Sequence, residues 1–247
     1  MFTSIDPRDR LIVALDFPSA ASALDLVDRL EGRAQWFKVG LELYLATGGS
    51  IIETLRNRGF KVFLDLKFHD IPNTVAGAVR SVSSLGASLV TVHAIGGAAM
   101  LAAAAEAAAS IADAPRLLAV TVLTSMDAAQ LAGIGVSGSP AEQVLRLALL
   151  AKTAGITGLV CSPEEVAQLR AELGRDSLLV VPGIRPVGSA AGDQSRVATP
   201  SAAIGAGASM LVVGRPITQA SDPAAAVDAI LTGMAVPAAY APRVLRS

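Results

Sequence analysis

The segment from Lys61 to Thr74 (KVFLDLKFHDIPNT) carries two acids and a lysine at spacings that could do chemistry. Its first half has the apolar composition of a buried strand, and side chains on a strand alternate between two faces. Asp65 and Lys67 would therefore share one face, with Asp70 close behind them. Flanking carboxylates would stabilise the ammonium form of Lys67, so we expect a proton donor and not a Schiff-base nucleophile. The alternative is an ion pair at an exposed strand end, worth about 0 to 1 kcal/mol.

Composition and charge exclude several classes of protein. Hydrophobic residues make up 52% and charged residues 17% of the 247 residues, which predicts a large buried core and excludes disorder. With a net charge of −1 and no long basic run, the chain is expected to bind neither nucleic acid nor a membrane surface. Cys161 is the only cysteine, so no intrachain disulfide can form, and we expect a cytoplasmic protein.

Strand-like and helical segments alternate along the whole chain. Eight segments have strand composition: Leu11–Asp16, Trp36–Gly40, Lys61–Lys67, Leu89–Ala94, Arg116–Leu123, Gly158–Cys161, Ser177–Ile184 and Met210–Gly214. Eight alternating βα units in this length predict an α/β fold of the closed (β/α)8 type, the TIM barrel. We expect a single domain over residues 1–247, with a C-terminal tail at 234–247. An open doubly wound sheet is the alternative, but no strand ends in GxGxxG.

Polar residues gather at the predicted C-terminal ends of these strands, where such barrels hold their active sites. Asp16 ends the first strand, Lys38 lies on the second, and Thr124 and Ser125 follow the fifth. Asp16 is either a ligand contact or a strand-end cap. His93 is expected to order the end of the fourth strand. No metal or other cofactor is predicted, because the two histidines are not spaced as a ligand pair and lysines neutralise the acids.

The loops after the seventh and eighth strands predict a phosphate site. They hold Arg185, Gly214 and Arg215, together with a glycine-rich loop at 188–196 (GSAAGDQSR) that contains Gln194. Glycine lets backbone N–H groups approach an anion, and arginine presents a planar, always charged fork to phosphate oxygens. The alternative is that Arg215 only caps or pairs locally.

The motif Asp65-x-Lys67-x-x-Asp70-Ile71-Pro72-Asn73-Thr74 resembles the signature of the orotidine 5′-phosphate decarboxylases. Seven further blocks follow the shorter bacterial branch of that family in order: 14–16 (ALD), 37–40 (FKVG), 91–94 (TVHA), 123–126 (LTSM), 182–186 (PGIRP), 191–194 (AGDQ) and 213–217 (VGRPI). No motif position departs from the pattern, and only residues 240–247 lie outside it.

The resemblance implies cofactor-free loss of CO₂ from orotidine 5′-phosphate to give UMP, the last step of de novo pyrimidine synthesis. Lys67 would protonate C6 of the pyrimidine, and Asp65 would face the leaving carboxylate. Lys38 would touch the ribose and would hold together an array of alternating charge formed with Asp65, Lys67 and Asp70. The remaining implied contacts are Asp16 for a ribose hydroxyl, Thr124 and Ser125 for the pyrimidine edge, Pro182 for the ring pocket, and Gln194, Gly214 and Arg215 for the phosphate, with Arg185 nearby.

The same resemblance implies an obligate homodimer, because Asp70, Ile71 and Thr74 would reach into the neighbouring subunit's site. Two rival functions stay open. A Mg²⁺-dependent sugar-phosphate decarboxylase or aldolase-type barrel shares Asp-x-Lys-x-x-Asp, but it needs an acid where this chain has Lys38. A catalytically silent phosphate-binding barrel could act as a sensor, although a pure binder has little reason to bury Lys67 between two acids.

Overall fold

Eight parallel strands form a closed barrel in chain order in the computed structural model, which describes residues 6–186 and 196–235. The strands are β1 Leu11–Ala14, β2 Trp36–Gly40, β3 Lys61–Phe68, β4 Leu89–His93, β5 Arg116–Val120, β6 Gly158–Val160, β7 Leu178–Val181 and β8 Met210–Val213. The barrel closes where β1 pairs with β8, with Leu11 opposite Leu211 and Val13 opposite Val213. The predicted (β/α)8 fold is confirmed.

Helices surround the barrel and connect successive strands. They are α1 Ala20–Arg29, α2 Leu41–Thr47, α3 Ser50–Asn57, α4 Pro72–Ser83, α5 Gly97–Ala109, α6 Ala128–Gly133, α7 Pro140–Thr153, α8 Val166–Leu173, α9 Pro200–Gly205, α10 Arg215–Thr218 and α11 Pro223–Gly233. Local sequence sets several of their starts. For example, the Ser139 hydroxyl accepts a hydrogen bond from the N–H of Glu142, and proline fills the first turn of α7. Within the described residues, no helix is both long and apolar enough to cross a membrane.

The structure corrects several predicted boundaries. β1, β5 and β7 end at Ala14, Val120 and Val181, each two or three residues before the predicted end. The apolar sequence of these strands continues into buried loop residues such as Val122 and Ile184. The predicted strands were too long because these residues are apolar but do not belong to the barrel strands. The connection after β2 contains two helices, because Gly48 ends α2 with a positive φ of 61°.

The inner face of the barrel is apolar at the bottom and charged at the top. Ile12, Trp36, Phe63 and Leu89 belong to a buried apolar plug inside the barrel. Inward-facing residues recur every second position along a strand, so the next level up is set by the residues two further along β2, β3 and β4. Those residues are Lys38, Asp65 and Thr91. The plug therefore keeps water from reaching the charged groups from below.

Candidate active site

Four charged side chains form a line of alternating sign at the C-terminal end of the barrel. Lys38 Nζ lies 2.8 Å from Asp16 Oδ1 and 3.7 Å from Asp65 Oδ2. Lys67 Nζ lies 2.9 Å from both carboxylate oxygens of Asp65. The two central groups are shielded, with 11% of the Lys38 side chain and 13% of the Asp65 side chain exposed, whereas Lys67 is 34% and Asp16 60% exposed. The charged line is therefore shielded from solvent only in its middle.

Gly40 leaves room for the Lys38 and Asp16 side chains of this line. A Cβ atom at position 40 would lie 3.0 Å from Lys38 Nζ and 3.2 Å from Asp16 Oδ1, closer than most real side-chain contacts. Any side chain there would press on the ion pair. The glycine in the block at 37–40 thus has a local physical reason, which is room for the ammonium and carboxylate beside it.

A bulge in β3 presents Lys67. Leu64 pairs with Val90 and Phe68 with Val92, so residues 65–67 of β3 face the single residue Thr91 of β4. Lys67 has a positive φ of 51°, a left-handed conformation that is uncommon for a residue other than glycine. The simple alternation that we predicted for this strand breaks here. The Lys67 ammonium nonetheless meets Asp65, because the bulge turns its side chain back over the strand.

Asp70 does not join the array within one chain. Its side chain is exposed, and Oδ1 accepts a hydrogen bond from the Ile71 backbone N–H at 2.6 Å. Ile71 and Thr74 are also exposed, with Ile71 at 67%. Among the residues that the structure describes, Asp70 forms no ion pair, and within this chain Lys38 contacts Asp16 as well as Asp65.

A cavity opens directly beside the charged line. Its walls include Asp16, Lys38, Asp65 and Lys67, together with the predicted ligand contacts Thr124, Pro182, Arg185, Gly214 and Arg215. The cavity wall also contains apolar residues that were not predicted as site residues: Ala14, Phe63, Val120, Val122, Leu123, Val160, Cys161 and Val212. Ser125 is exposed next to Thr124 and is not among the residues that form these walls.

The positively charged end of the cavity comes from the loops after β7 and β8. Arg185 is buried, and its guanidinium donates a hydrogen bond to the Ile184 carbonyl at 2.9 Å. Arg215 is exposed and begins α10 immediately after Gly214. Gln194, the other predicted phosphate contact, lies outside the described residues.

Arg196, at the end of the glycine-rich segment, is not among the residues that form the cavity wall. Its guanidinium is buried, pairs with Glu165, and donates a hydrogen bond to the Leu123 carbonyl at 3.0 Å. Glu165 also accepts hydrogen bonds from Ser162. This pair links the loops after β5, β6 and β7, just below Thr124. Sequence spacing gave no signal for it, because the partners are 31 residues apart.

The two histidines stack on each other near Lys67, with ring centroids 5.6 Å apart and an angle of 29° between the rings. Nδ1 of His93 is buried and has no hydrogen-bond partner among the described residues. Burial, followed by the nearby His69 and Lys67, lowers the pKa of His93 below 6.5. In the part of the chain that the structure describes, no group of three or more His, Cys, Asp or Glu side chains could hold a metal ion.

Cys161 lies in the cavity wall but is not arranged as a nucleophile. Burial, and secondarily the neighbouring Glu165, raises the pKa of its thiol well above the ordinary value of 9.0. The reactive form of cysteine is the thiolate, which this environment disfavours. Cys161 therefore serves as a small apolar wall residue.

Comparison with known proteins assigns the family. The model of the "Orotidine 5'-phosphate decarboxylase / HUMPS family" matches residues 9–230, which is most of the chain. The chain belongs to this family. It is 55% identical over 232 residues to an orotidine 5′-phosphate decarboxylase of Halorhodospira halophila, covering 94% of this chain and 98% of that one. It is 53% identical over 228 residues to another of Anaeromyxobacter sp. strain K, covering 92% and 99%.

A solved structure is similar over nearly the same length. The crystal structure of orotidine 5′-phosphate decarboxylase from Lactobacillus acidophilus superimposes with a TM-score of 0.82 at 41% sequence identity, covering 92% of this chain and 99% of that chain. The resemblance drawn from the sequence motifs is thereby confirmed at the level of the family.

Proposed function

We propose that this chain converts orotidine 5′-phosphate to UMP and CO₂ in pyrimidine biosynthesis, without a metal or cofactor. One observation carries the proposal, namely that the Asp65 carboxylate lies between the ammonium groups of Lys38 and Lys67 at the mouth of the barrel. Curated relatives that match at 50–55% identity along almost their whole length are named for this reaction. Arg185 and Arg215, which are predicted to bind phosphate, line the same cavity.

The charged line fits the electron movements of this decarboxylation. When the bond between C6 and the carboxylate breaks, its electron pair stays on C6 and the carboxylate leaves as CO₂. The Lys67 ammonium would stabilise that developing negative charge and then transfer a proton to C6, which completes UMP. A substrate carboxylate about 4 Å from Asp65 would be repelled by roughly 4 kcal/mol at an effective dielectric constant near 20. That repulsion is relieved as CO₂ forms.

Binding energy from the far end of the substrate would hold the ring in place. Arg215 and Gly214, with Arg185 and the predicted contact Gln194, would bind the phosphate, and Asp16 and Lys38 the ribose. Thr124, Ser125 and Pro182 would contact the pyrimidine. Because a pyrimidine offers few contacts of its own, attraction to the remote phosphate would orient C6 against Lys67.

The position of Lys38 argues against the Mg²⁺-dependent relatives. On the inner face of β2, where such a relative needs an acid, this chain has an ammonium 2.8 Å from Asp16 and 3.7 Å from Asp65. The deciding experiment follows the absorbance loss of orotidine 5′-phosphate in EDTA-treated buffer and identifies UMP by chromatography. We expect unchanged turnover after chelation. Loss of activity that Mg²⁺ restores would favour the metal-dependent rival, and no turnover at all would favour a silent phosphate-binding barrel.

A homodimer with shared sites is part of the proposal. Asp70, Ile71 and Thr74 are exposed near the cavity-bearing end of β3, and Asp70 has no ion pair among the described residues of its own chain. The test mixes two inactive variants, Lys67→Ala and Asp70→Ala, under conditions that exchange subunits. Each hybrid dimer would hold one intact site, so activity should return to about a quarter of the unmodified level. Mixing Lys67→Ala with Lys38→Ala, whose defects share one chain's site, should restore nothing.

The cytosolic location expected from the cysteine content stays a prediction.

A further inference from the structure

We infer that Thr91 is a positioning residue that sets the proton donor Lys67 against Asp65. This inference rests on the proposed function. It assigns a role to a β4 side chain that does not form part of the cavity wall and that acts through the two residues it contacts.

The bulge in β3 creates the need for such a residue. Residues 65–67 face only Thr91 on the neighbouring strand, so the regular ladder of backbone hydrogen bonds is interrupted there. The backbone N–H of Lys67 donates instead to Thr91 Oγ1 at 2.8 Å. Without this acceptor, a shielded backbone donor would lose its partner, a situation that folded proteins rarely tolerate.

The same hydroxyl contacts the acid of the array. Thr91 Oγ1 donates its proton to Asp65 Oδ1 at 3.1 Å, and Asp65 accepts the Lys67 ammonium at 2.9 Å. Thr91, Asp65 and Lys67 thus form a closed ring of hydrogen bonds, which links the backbone N–H of Lys67 to its own ammonium group through Thr91 and Asp65. Thr91 is fully buried, so no water can substitute for its hydroxyl without rearrangement.

This ring of hydrogen bonds stabilises the left-handed backbone conformation of Lys67. Left-handed backbone at a residue with a side chain persists only where surrounding contacts determine it. Removing the hydroxyl would free the Lys67 backbone to relax and would release one oxygen of Asp65 to rotate. Small displacements of a catalytic group are costly because the reaction needs the donor aligned with C6.

Thr91→Val keeps the size of the side chain and removes the hydroxyl. We expect kcat to fall about 10-fold to about 100-fold, the effect of losing a hydrogen bond to a charged group. KM should change less than about threefold, because the residues that contact the substrate are retained. Thr91→Ala should behave like the valine variant, and Thr91→Ser, which restores the hydroxyl alone, should recover most of kcat. The alanine and serine variants decide the question even if the valine variant does not fold.

Thr121→Val is the matched control. Thr121 is equally buried, and its hydroxyl donates a hydrogen bond to the Val160 carbonyl at 3.0 Å and not to a member of the charged line. It should lose thermal stability and keep kcat. The inference is overturned if Thr91→Val and Thr91→Ala lower the Tm in the same way and retain kcat, or if Thr91→Ser is as slow as Thr91→Ala. Failure of the proposed function is seen separately, since the unmodified chain would then not consume orotidine 5′-phosphate at all.

Discussion

The Lys38 ammonium, on the second strand, lies 2.8 Å from the Asp16 carboxylate, which follows the end of the first. The two residues are 22 positions apart, and the parallel pairing of β1 with β2, in which Ala14 lies opposite Lys38, brings them together. Lys38 is thereby held between two acids, since Asp65 lies on its other side. An acid first interpreted as a ligand contact or a cap thus also sets the position of a central lysine.

Asp16→Asn should therefore reduce activity more than stability. Asp16 is 60% exposed, so its ion pair is worth about 0 to 1 kcal/mol to folding, but its loss frees the Lys38 ammonium. We expect kcat/KM to fall about tenfold or more, as for a lost charge-assisted contact. Asp228→Asn is the control, because Asp228 is 56% exposed and pairs with Arg33 on the outside of the barrel. Equal kinetics in the two variants would contradict a role for Asp16 at the site.

Lys67→Ala should abolish turnover without unfolding the chain. It removes the proposed proton donor and the ammonium nearest to C6, and we expect a loss of at least about 10³-fold in kcat. Lys61→Ala, on the same strand but at the opposite end, should keep full activity, because Lys61 contacts Asp9 and the face of Trp36. Circular dichroism and thermal melting would establish that both variants fold. Full activity in Lys67→Ala would refute the proton-donor role.

Arg215→Ala should chiefly weaken substrate binding. Arg215 is exposed and lines the cavity from the loop after β8, where we expect it to bind phosphate and not the reacting carbon. We expect KM to rise about 10-fold to about 100-fold with a smaller change in kcat. Arg33→Ala removes a surface arginine that pairs with Glu31 and Asp228 and should leave KM unchanged. Titration with UMP checks binding directly, and an unchanged affinity in Arg215→Ala would exclude Arg215 from the phosphate site.

His93 should make the fold sensitive to mild acid. Burial lowers its pKa in the folded state below 6.5, so the unfolded chain takes up a proton first as the pH falls. Its contribution to the free energy of unfolding is therefore complete above pH 6.5 and is lost as the pH falls toward the folded-state pKa. Urea unfolding between about pH 7.5 and about pH 5.5 should show a steeper loss of stability for the unmodified chain than for His93→Gln. Parallel curves would contradict this assignment.

The fold class and the charged and polar part of the cavity wall could be predicted from the residues alone. Alternating strand and helix patterns define the eight-stranded barrel, and polar residues at strand ends must meet at one rim because all the strands run parallel. Lys38, Asp65 and Lys67 could be assigned to the site on this basis alone. The positive charge after β7 and β8 followed from residue type and position.

The contacts between these groups could not be predicted and are seen only in the folded chain. Strand periodicity assumes a regular ladder, so it could not show the bulge that gives Lys67 its positive φ or the role of Thr91 opposite it. Thr91 had a weak signal, since it lies two residues beyond the apolar Leu89 on the same inward face. The Asp16–Lys38 pair depends on the register between β1 and β2, and the exposure of Asp70 depends on the path of the loop after β3. A linear pattern specifies the face of a strand on which a side chain lies. The distances between side chains on different strands are set only when the strands pair.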